Sequence, residues 1–288
     1  MTEVRRFSAM GCEVLVAGAD ADELAAVRKL FHEREGRFSR FSEASELRRV
    51  NGHAGRAVVV SEDFAAMLRI GLWAAAETQG LVDPTIGPAL VAAGYDRDFR
   101  LLSDRTAAAA ASGSVRPAWS GVSLQGRLLV VPPGIALDLN GVVKSATVDD
   151  ALGLFAGGGW VSAGGDIAAR GGVGVALPGG GHVQLAAGGI ATSGRTRRTW
   201  AGPDGRRHHL IDPSTGLPSG SVWEQVTACG ATCLDADVAA KAALLQGEAG
   251  PDWLDERGIP GRFLGAGGRI VANRAWSAAV AEPEAACI

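Results

Sequence analysis

Residues 231–247 constrain the fold more than any other stretch, because their pattern predicts a helix that must be buried. Thr232 stands where it can cap the N-terminus of this helix, and Gly247 stands where the helix should end. The segment between them is almost wholly apolar, so it belongs in a hydrophobic core. Asp237 and Lys241 are four residues apart, which places their side chains on one face of the helix.

Two charges on a buried helix need partners, since a buried charge without one is strongly destabilising. One interpretation is an ordinary ion pair between Asp237 and Lys241 within the helix. The other is a binding site for a ligand that carries phosphate. The helix alone does not distinguish the two, so the rest of the chain has to decide.

The composition excludes several classes of protein. The chain has 288 residues and a net charge of −3, which gives no electrostatic reason to bind nucleic acid or an anionic membrane. No window reaches the roughly 18 apolar residues that a membrane span needs. The N-terminal sequence lacks the apolar region of a signal peptide, and Cys229 and Cys233 are too few for a zinc site. We therefore expect a cytoplasmic protein with reduced cysteines.

Strand-like segments outnumber helical ones, and short turns join most of them. Apolar and polar residues alternate over residues 120–131 and 261–271, which predicts a hairpin in each segment. Residues 7–17 have the pattern of one half-buried strand, and residues 190–194 have the composition of a turn. This pattern favours an α+β fold with a mainly antiparallel sheet over a doubly wound parallel sheet. Helical spacing predicts helices over residues 20–37, 64–78 and 146–155.

Two common phosphate-binding loops fail on their spacing. Residues 141–145 end in Lys144-Ser145 like a P-loop, but they lack its upstream glycines. The glycines between residues 171 and 181 do not form the dinucleotide fingerprint that opens a helix. Four aspartates lie at turns, where turn chemistry alone can explain each of them: Asp83, Asp138, Asp166 and Asp212.

Taken in order, these turns and the helix at residues 231–247 resemble the ApbE family, the FAD:protein FMN transferases. The resemblance rests on eight segments: Met10-Gly11 and residues 38–51, 80–88, 138–144, 164–167, 191–194, 209–216 and 236–237. Each segment is weak alone, but together they keep the family order over about residues 7–275. The resemblance implies one α+β domain at residues 1–280 with FAD in a cleft, followed by a tail at residues 281–288.

The resemblance also implies an activity and its partners. Members of the family split FAD at the diphosphate, attach FMN through its phosphate to a Thr or Ser of a target flavoprotein, and release AMP. The expected partners are therefore FAD and an acceptor flavoprotein, without nucleic acid and without membrane insertion. Two alternatives stay open: an FAD-binding protein with impaired catalysis, and an enzyme that cleaves FAD with an acceptor other than a protein.

The family pattern assigns roles to residues of this chain. His209 would take the proton of the acceptor hydroxyl, and Asp237 would act in catalysis and hold Mg²⁺ together with the backbone carbonyl of Val143. Met10 and Phe41 would flank the isoalloxazine. The full set of implied cofactor-binding residues is Met10, Phe41, Leu81, Val82, Asp83, Asn140, Lys144, Ile211 and Lys241.

Three positions depart from the family pattern. Lys241 stands where the family usually has a metal-ligating Thr, and Asn140 and Ser145 stand where glycines are common. The ammonium of Lys241 would repel Mg²⁺ and pair with Asp237, or it would contact the FAD diphosphate directly as a point charge. We therefore expect Mg²⁺ to bind weakly or not at all to the free protein.

Overall fold

A computed structural model describes residues 3–102, 118–202 and 205–281 of the chain. Its strands are β1 (Val4–Ala9), β2 (Cys12–Ala17), β3 (Ala57–Val59), β4 (Ser123–Gln125), β5 (Leu128–Val130), β6 (Gly159–Ala163), β7 (Asp166–Ala176), β8 (His182–Gly194), β9 (Thr199–Gly202), β10 (Gly205–His208), β11 (Ile211–Asp212), β12 (Leu217–Pro218), β13 (Trp223–Gly230), β14 (Gly261–Gly265) and β15 (Ile270–Ala272).

The helices of the described residues include one at each of the four segments predicted to be helical, residues 20–37, 64–78, 146–155 and 231–247. They are α1 (Ala21–Phe38), α2 (Glu46–Asn51), α3 (Glu62–Glu77), α4 (Gly87–Ala92), α5 (Val143–Gly153), α6 (Cys233–Leu245), α7 (Gly250–Asp255) and α8 (Arg274–Ala281). The tail predicted at residues 281–288 lies, after its first residue, outside the described residues.

The chain forms two compact units. The first unit comprises Met1–Glu33, Lys144–Gly194 and Gly220–Ile288, and the second comprises Arg34–Val143 and Arg195–Ser219. The first unit holds an eight-stranded sheet in the order β1-β2-β6-β7-β8-β13-β14-β15, with every neighbouring pair antiparallel. The second unit holds a three-stranded sheet, β3-β5-β4, and two short two-stranded ribbons. The predicted α+β fold with a mainly antiparallel sheet is therefore confirmed.

The main core of the first unit lies around β2 and β6. Val14 and Val161 of these strands are fully buried, and Val27 and Phe31 of α1 and Val148 of α5 pack into the same cluster. The two α1 residues belong to the apolar stripe that the helical spacing predicted. This core fixes α5, which carries part of the candidate site, against the sheet.

Helix α6 confirms the prediction made for residues 231–247. The Thr232 side chain accepts a hydrogen bond from the backbone amide of Asp235 (3.0 Å), and Gly247 follows the helix with a left-handed φ of 60°. The first turn of α6 lies tightly against β8. A Cβ atom on Gly189 would stand 2.2 Å from the backbone nitrogen of Cys233, so a glycine at that position lets the helix approach the strand.

Two local predictions were wrong. Residues 7–17 form two strands rather than one, because Met10 and Gly11, with φ of 52° and 67°, make a two-residue hairpin turn between β1 and β2. Residues 190–194 are the end of β8 rather than a turn, since Thr192 pairs with Thr227 in the ladder with β13. The small and polar residues of this segment are also typical of turns, which explains the wrong prediction.

No helix among residues 3–102, 118–202 and 205–281 combines the length and the apolar character that crossing a membrane requires.

Candidate functional site

The first unit gathers two lysines and two buried aspartates near the N-terminal end of α5. Helix α6 contributes Asp237 and Lys241, α5 contributes Lys144 and Ser145, and the turn between β6 and β7 leads into Asp166. Both carboxylates are only 3% exposed. Buried carboxylates need charged or hydrogen-bonding partners, and the neighbouring side chains supply them.

Both carboxylate oxygens of Asp237 are engaged. Oδ1 forms an ion pair with Lys241 Nζ, one helical turn along α6. Oδ2 accepts a hydrogen bond of 2.8 Å from Ser145 Oγ, 92 positions away in sequence. The two partners, Lys241 and Ser145, stand at positions where this chain departs from the family pattern described above.

Lys144 is held beside Asp166. Its Nζ pairs with Asp166 Oδ2 and donates to the backbone oxygen of Ala163 (3.2 Å). The other Asp166 oxygen accepts from the backbone amide of Thr192 (3.3 Å). Burial lowers the pKa of Lys144; the negative charge of Asp237 opposes this shift and the positive charge of Lys241 adds to it.

This donor set does not fit a protein-held Mg²⁺. The ion takes several oxygen ligands in near-octahedral geometry, and a nearby ammonium repels it; Asp237 is already shared between an ammonium and a hydroxyl. Among the described residues, no group of three or more His, Cys, Asp or Glu side chains could hold a metal. Val143, the other predicted ligand, begins α5, and its backbone amide donates to the oxygen of Leu139 (2.9 Å).

In the second unit, Phe41 belongs to an aromatic row that is organised by an arginine. The ring centroids of Phe41 and Tyr95 are 5.6 Å apart, and those of Tyr95 and Trp200 are 5.3 Å apart. The Arg40 guanidinium carbon lies 4.7 Å from the Phe41 centroid and 4.6 Å from that of Tyr95. Its Nε forms an ion pair with Asp138 Oδ2 at 2.7 Å. Phe41 is therefore held in a fixed position.

The predicted flavin loop and diphosphate turn are held by their own aspartates. Asp83 Oδ1 accepts from the backbone amide (2.6 Å) and hydroxyl (2.5 Å) of Thr85, and burial raises the pKa of this carboxyl. Val82 is buried, and Leu81 is half-buried. The exposed Asn140 donates its backbone amide to Asp138 Oδ1 (2.8 Å). These bonds give both turns a defined shape.

Two adjacent histidines have different environments. His208 is buried at the end of β10, and its Nε2 donates to the backbone oxygen of Ser219 (3.0 Å). Burial lowers the pKa of His208, and the charge of Arg195 adds to this effect. His209 lies half-buried in the following loop. Ile211, two residues on, is 2% exposed and packs in the hydrophobic core of the second unit.

The predicted site residues therefore fall into two sets. Within the first unit, Lys144, Asp237 and Lys241 lie together, and Met10 sits at the turn of the β1–β2 hairpin. The second unit holds the others: Phe41, Leu81, Val82, Asp83, Asn140, Val143, His209 and Ile211.

Sequence reasoning missed three members of these clusters. Asp166 was noted as a turn residue, but its ion pair with Lys144 was not foreseen. Ser145 was noted only as a departure from the family pattern, and Arg40 only as part of the segment at residues 38–51; their partners Asp237 and Asp138 are distant in sequence and were not foreseen.

Known structures share this fold. An ApbE protein from Thermotoga maritima superposes with a TM-score of 0.83 at 22% identity, covering 96% of this chain and 99% of that one. The apo form of the flavinyl transferase ApbE from Pseudomonas stutzeri gives 0.81 at 20% identity, covering 96% of each chain. The flavin transferase ApbE from Vibrio cholerae gives 0.78 at 21% identity, covering 96% of this chain and 99% of that one.

Among curated proteins, no sequence matches this chain. The model of the ApbE family, by contrast, matches residues 10–284, which include the hairpin turn at Met10, the Lys144–Asp166 pair and the Asp237 helix. Nearly the whole sequence thus fits one family pattern, and the chain belongs to the ApbE family.

Proposed function

We propose that this protein is a flavin transferase that takes FMN from FAD, attaches it to a Thr or Ser hydroxyl of a flavoprotein, and releases AMP. The observation that carries this proposal is the family match over residues 10–284. The similar structures from Pseudomonas stutzeri and Vibrio cholerae are named as flavinyl and flavin transferases, which agrees with it.

The reaction is a phosphoryl transfer, and it balances without a further reactant. The acceptor hydroxyl oxygen forms a bond to the phosphorus of the FMN half of FAD. The bond from that phosphorus to the bridging oxygen breaks, and AMP leaves with this oxygen. The hydroxyl proton passes to a base. Such a reaction needs positioning and charge neutralisation more than covalent catalysis.

We assign the role of base to His209. The family pattern gives this role to His209, which lies in the loop that follows β10. An imidazole is the side chain that most often serves as a general base. Asp237, through its pairing with Lys241, would keep that ammonium in place during the reaction.

The assigned ligand contacts follow the same division as the structure. In the first unit, Met10 would contact the isoalloxazine, and Lys144 and Lys241 would face the diphosphate as point charges. In the second unit, the assigned cofactor contacts are Phe41, Leu81, Val82, Asp83, Asn140 and Ile211.

The test is incubation of the purified protein with FAD and a flavoprotein domain that carries an FMN-accepting threonine, followed by separation of FAD, FMN and AMP. We expect AMP release together with a mass increase of the acceptor, and no mass increase in the Thr→Ala acceptor. The absence of both products would contradict the proposal.

Two other outcomes identify the alternatives. FAD binding without any AMP supports an FAD-binding protein with impaired catalysis, which the engagement of both Asp237 oxygens favours. Equal release of AMP and free FMN, without labelling of the threonine, supports cleavage of FAD with an acceptor other than a protein.

A further inference from the structure

Lysine is rare in this protein, and its distribution is uneven. The chain contains 3 lysines and 25 arginines. Two of the three, Lys144 and Lys241, lie at the buried carboxylates of the first unit, while Lys29 is on the surface of α1 with a side chain that is 74% exposed. Arginine is thus the common basic residue of this chain, and two of its three lysines lie at one site. An ammonium is a compact point charge, and a guanidinium is a broad planar fork.

The ammonium of Lys241 retains capacity to bind a ligand. Its side chain is 16% exposed, and Asp237 Oδ1 is its one ion-pair partner among the described residues. An ammonium has three N–H donors, so two N–H groups can point towards an added anion. Lys144, with a side chain 21% exposed, supplies a second positive charge in the same cluster.

Ser145 completes the arrangement. Its hydroxyl donates to Asp237 Oδ2, the oxygen that Lys241 does not use. A glycine at this position would leave that oxygen available to a metal ion. Lys241 therefore supplies the positive charge, and Ser145 occupies the remaining ligand atom of the carboxylate. The two departures from the family pattern act on the same side chain.

We propose that Lys241 and Ser145 together close Asp237 to metal, and that the Lys241 ammonium, with Lys144 beside it, neutralises the FAD diphosphate instead of a protein-held Mg²⁺. This inference rests on the proposed use of FAD. It makes the reaction independent of added divalent metal, and it identifies the recognised chemistry as a dinucleotide diphosphate.

The metal part is tested without nucleotide, by titrating Mn²⁺ into the free protein and following the electron paramagnetic resonance signal of unbound Mn²⁺. We expect no binding by the parent protein. The double variant Lys241→Thr/Ser145→Ala should bind Mn²⁺ at least tenfold more tightly, and more tightly than either single variant. Lys29→Thr is the matched control, because Lys29 also pairs with an acid four residues along a helix, Glu33. Stoichiometric micromolar binding by the parent would overturn the proposal.

The ligand part is tested on the unmodified sequence by lysine footprinting. The protein is reductively methylated with and without FAD, and peptide mass spectrometry reports each lysine. We expect FAD to slow the modification of Lys241 and Lys144 several-fold and to leave Lys29 unchanged. Bound FAD, detected by flavin fluorescence, together with an unprotected Lys241 would overturn the proposal.

The proposed function and this inference fail in different ways. If AMP is never released and FAD does not bind, the proposed function fails, while the Mn²⁺ titration still decides whether Asp237 is closed to metal. If AMP release requires Mg²⁺ and stops in EDTA, the proposed function stands and the inference fails.

Discussion

At the scale of single residues, Met10 adopts a backbone conformation that disfavours its own side chain. Its φ of 52° is in the left-handed region, which costs a residue with a Cβ about 1–2 kcal/mol. A glycine would fill this hairpin position without that cost. Backbone strain of this kind is often retained where the side chain has a function, and we propose that the Met10 side chain contacts the flavin.

We predict that Met10→Gly separates stability from binding. The relief of strain should offset the lost packing, so the free energy of unfolding should change by less than about 1 kcal/mol. FAD affinity should fall roughly five- to tenfold through loss of the thioether contact with the ring. Urea unfolding and flavin fluorescence titration measure the two effects. Gln79→Gly, at the other described non-glycine residue with positive φ, is the control; unchanged affinity in Met10→Gly would refute the assignment.

His209→Ala should slow FMN transfer by about 10²- to 10⁴-fold, the usual contribution of a general base. FAD affinity should change little, because the proton transfer belongs to the chemical step. Single-turnover AMP release and equilibrium FAD binding distinguish the two effects. The control is His182→Ala, at the exposed start of β8. Transfer at the parental rate would make His209 a structural residue.

At the scale of elements, the side chain of Asp149 links α5 to the start of α6. Asp149 Oδ1 and Oδ2 accept hydrogen bonds of 2.8 Å from the backbone amides of Cys233 and Leu234, the first two residues of α6. Burial raises the pKa of Asp149 from 3.8 to about 6, although both hydrogen bonds oppose the shift. The folded state therefore favours the protonated form of this group more than the unfolded state does.

This shift predicts a pH dependence of stability. Because the folded-state pKa lies above the unfolded value, the contribution of Asp149 is complete below 3.8 and is lost as the pH rises through about 6. The loss amounts to roughly 2–3 kcal/mol. Asp149→Asn should remove this part of the pH dependence, as measured by urea unfolding between about pH 4 and pH 7.5. Asp150→Asn, on the exposed side of α5, should retain it. A parental slope in Asp149→Asn would contradict this account.

At the scale of the whole molecule, the elements that the sequence predicts are those set by short-range pattern. The cap at Thr232, the burial of α6 and the spacing of Asp237 and Lys241 can all be read within residues 231–247. The hydrogen bond from Ser145 to Asp237 spans 92 positions, and no periodicity records it. Pattern alone therefore predicts the site only as far as helix α6; Lys144 came from the family resemblance, and the bond from Ser145 was not predicted.

Glycines explain the main error in the predicted fold. Small residues near Gly189 read as a turn, because glycine in isolation signals a change of direction. In the structure this glycine lies inside β8 and leaves room for the first turn of α6. Glycine is needed both where two distant segments pack closely and where the chain turns. The sequence shows the same residue in both cases, so only the fold distinguishes them.

The ladder between β8 and β13 has a consequence for how this protein can change during evolution. Gly194 of β8 pairs directly with Gln225 of β13. The segment Arg195–Ser219, which belongs to the second unit, leaves the sheet at the end of β8, and the chain returns to the sheet at β13. The sheet fixes both ends of this segment, while its own strands β9 to β12 bury Trp200 and Ile211 in the core of the second unit. Changes of length in this segment therefore leave the β8–β13 ladder intact only where they fall in its turns, such as the one after Asp212, and spare the residues that pack in the core.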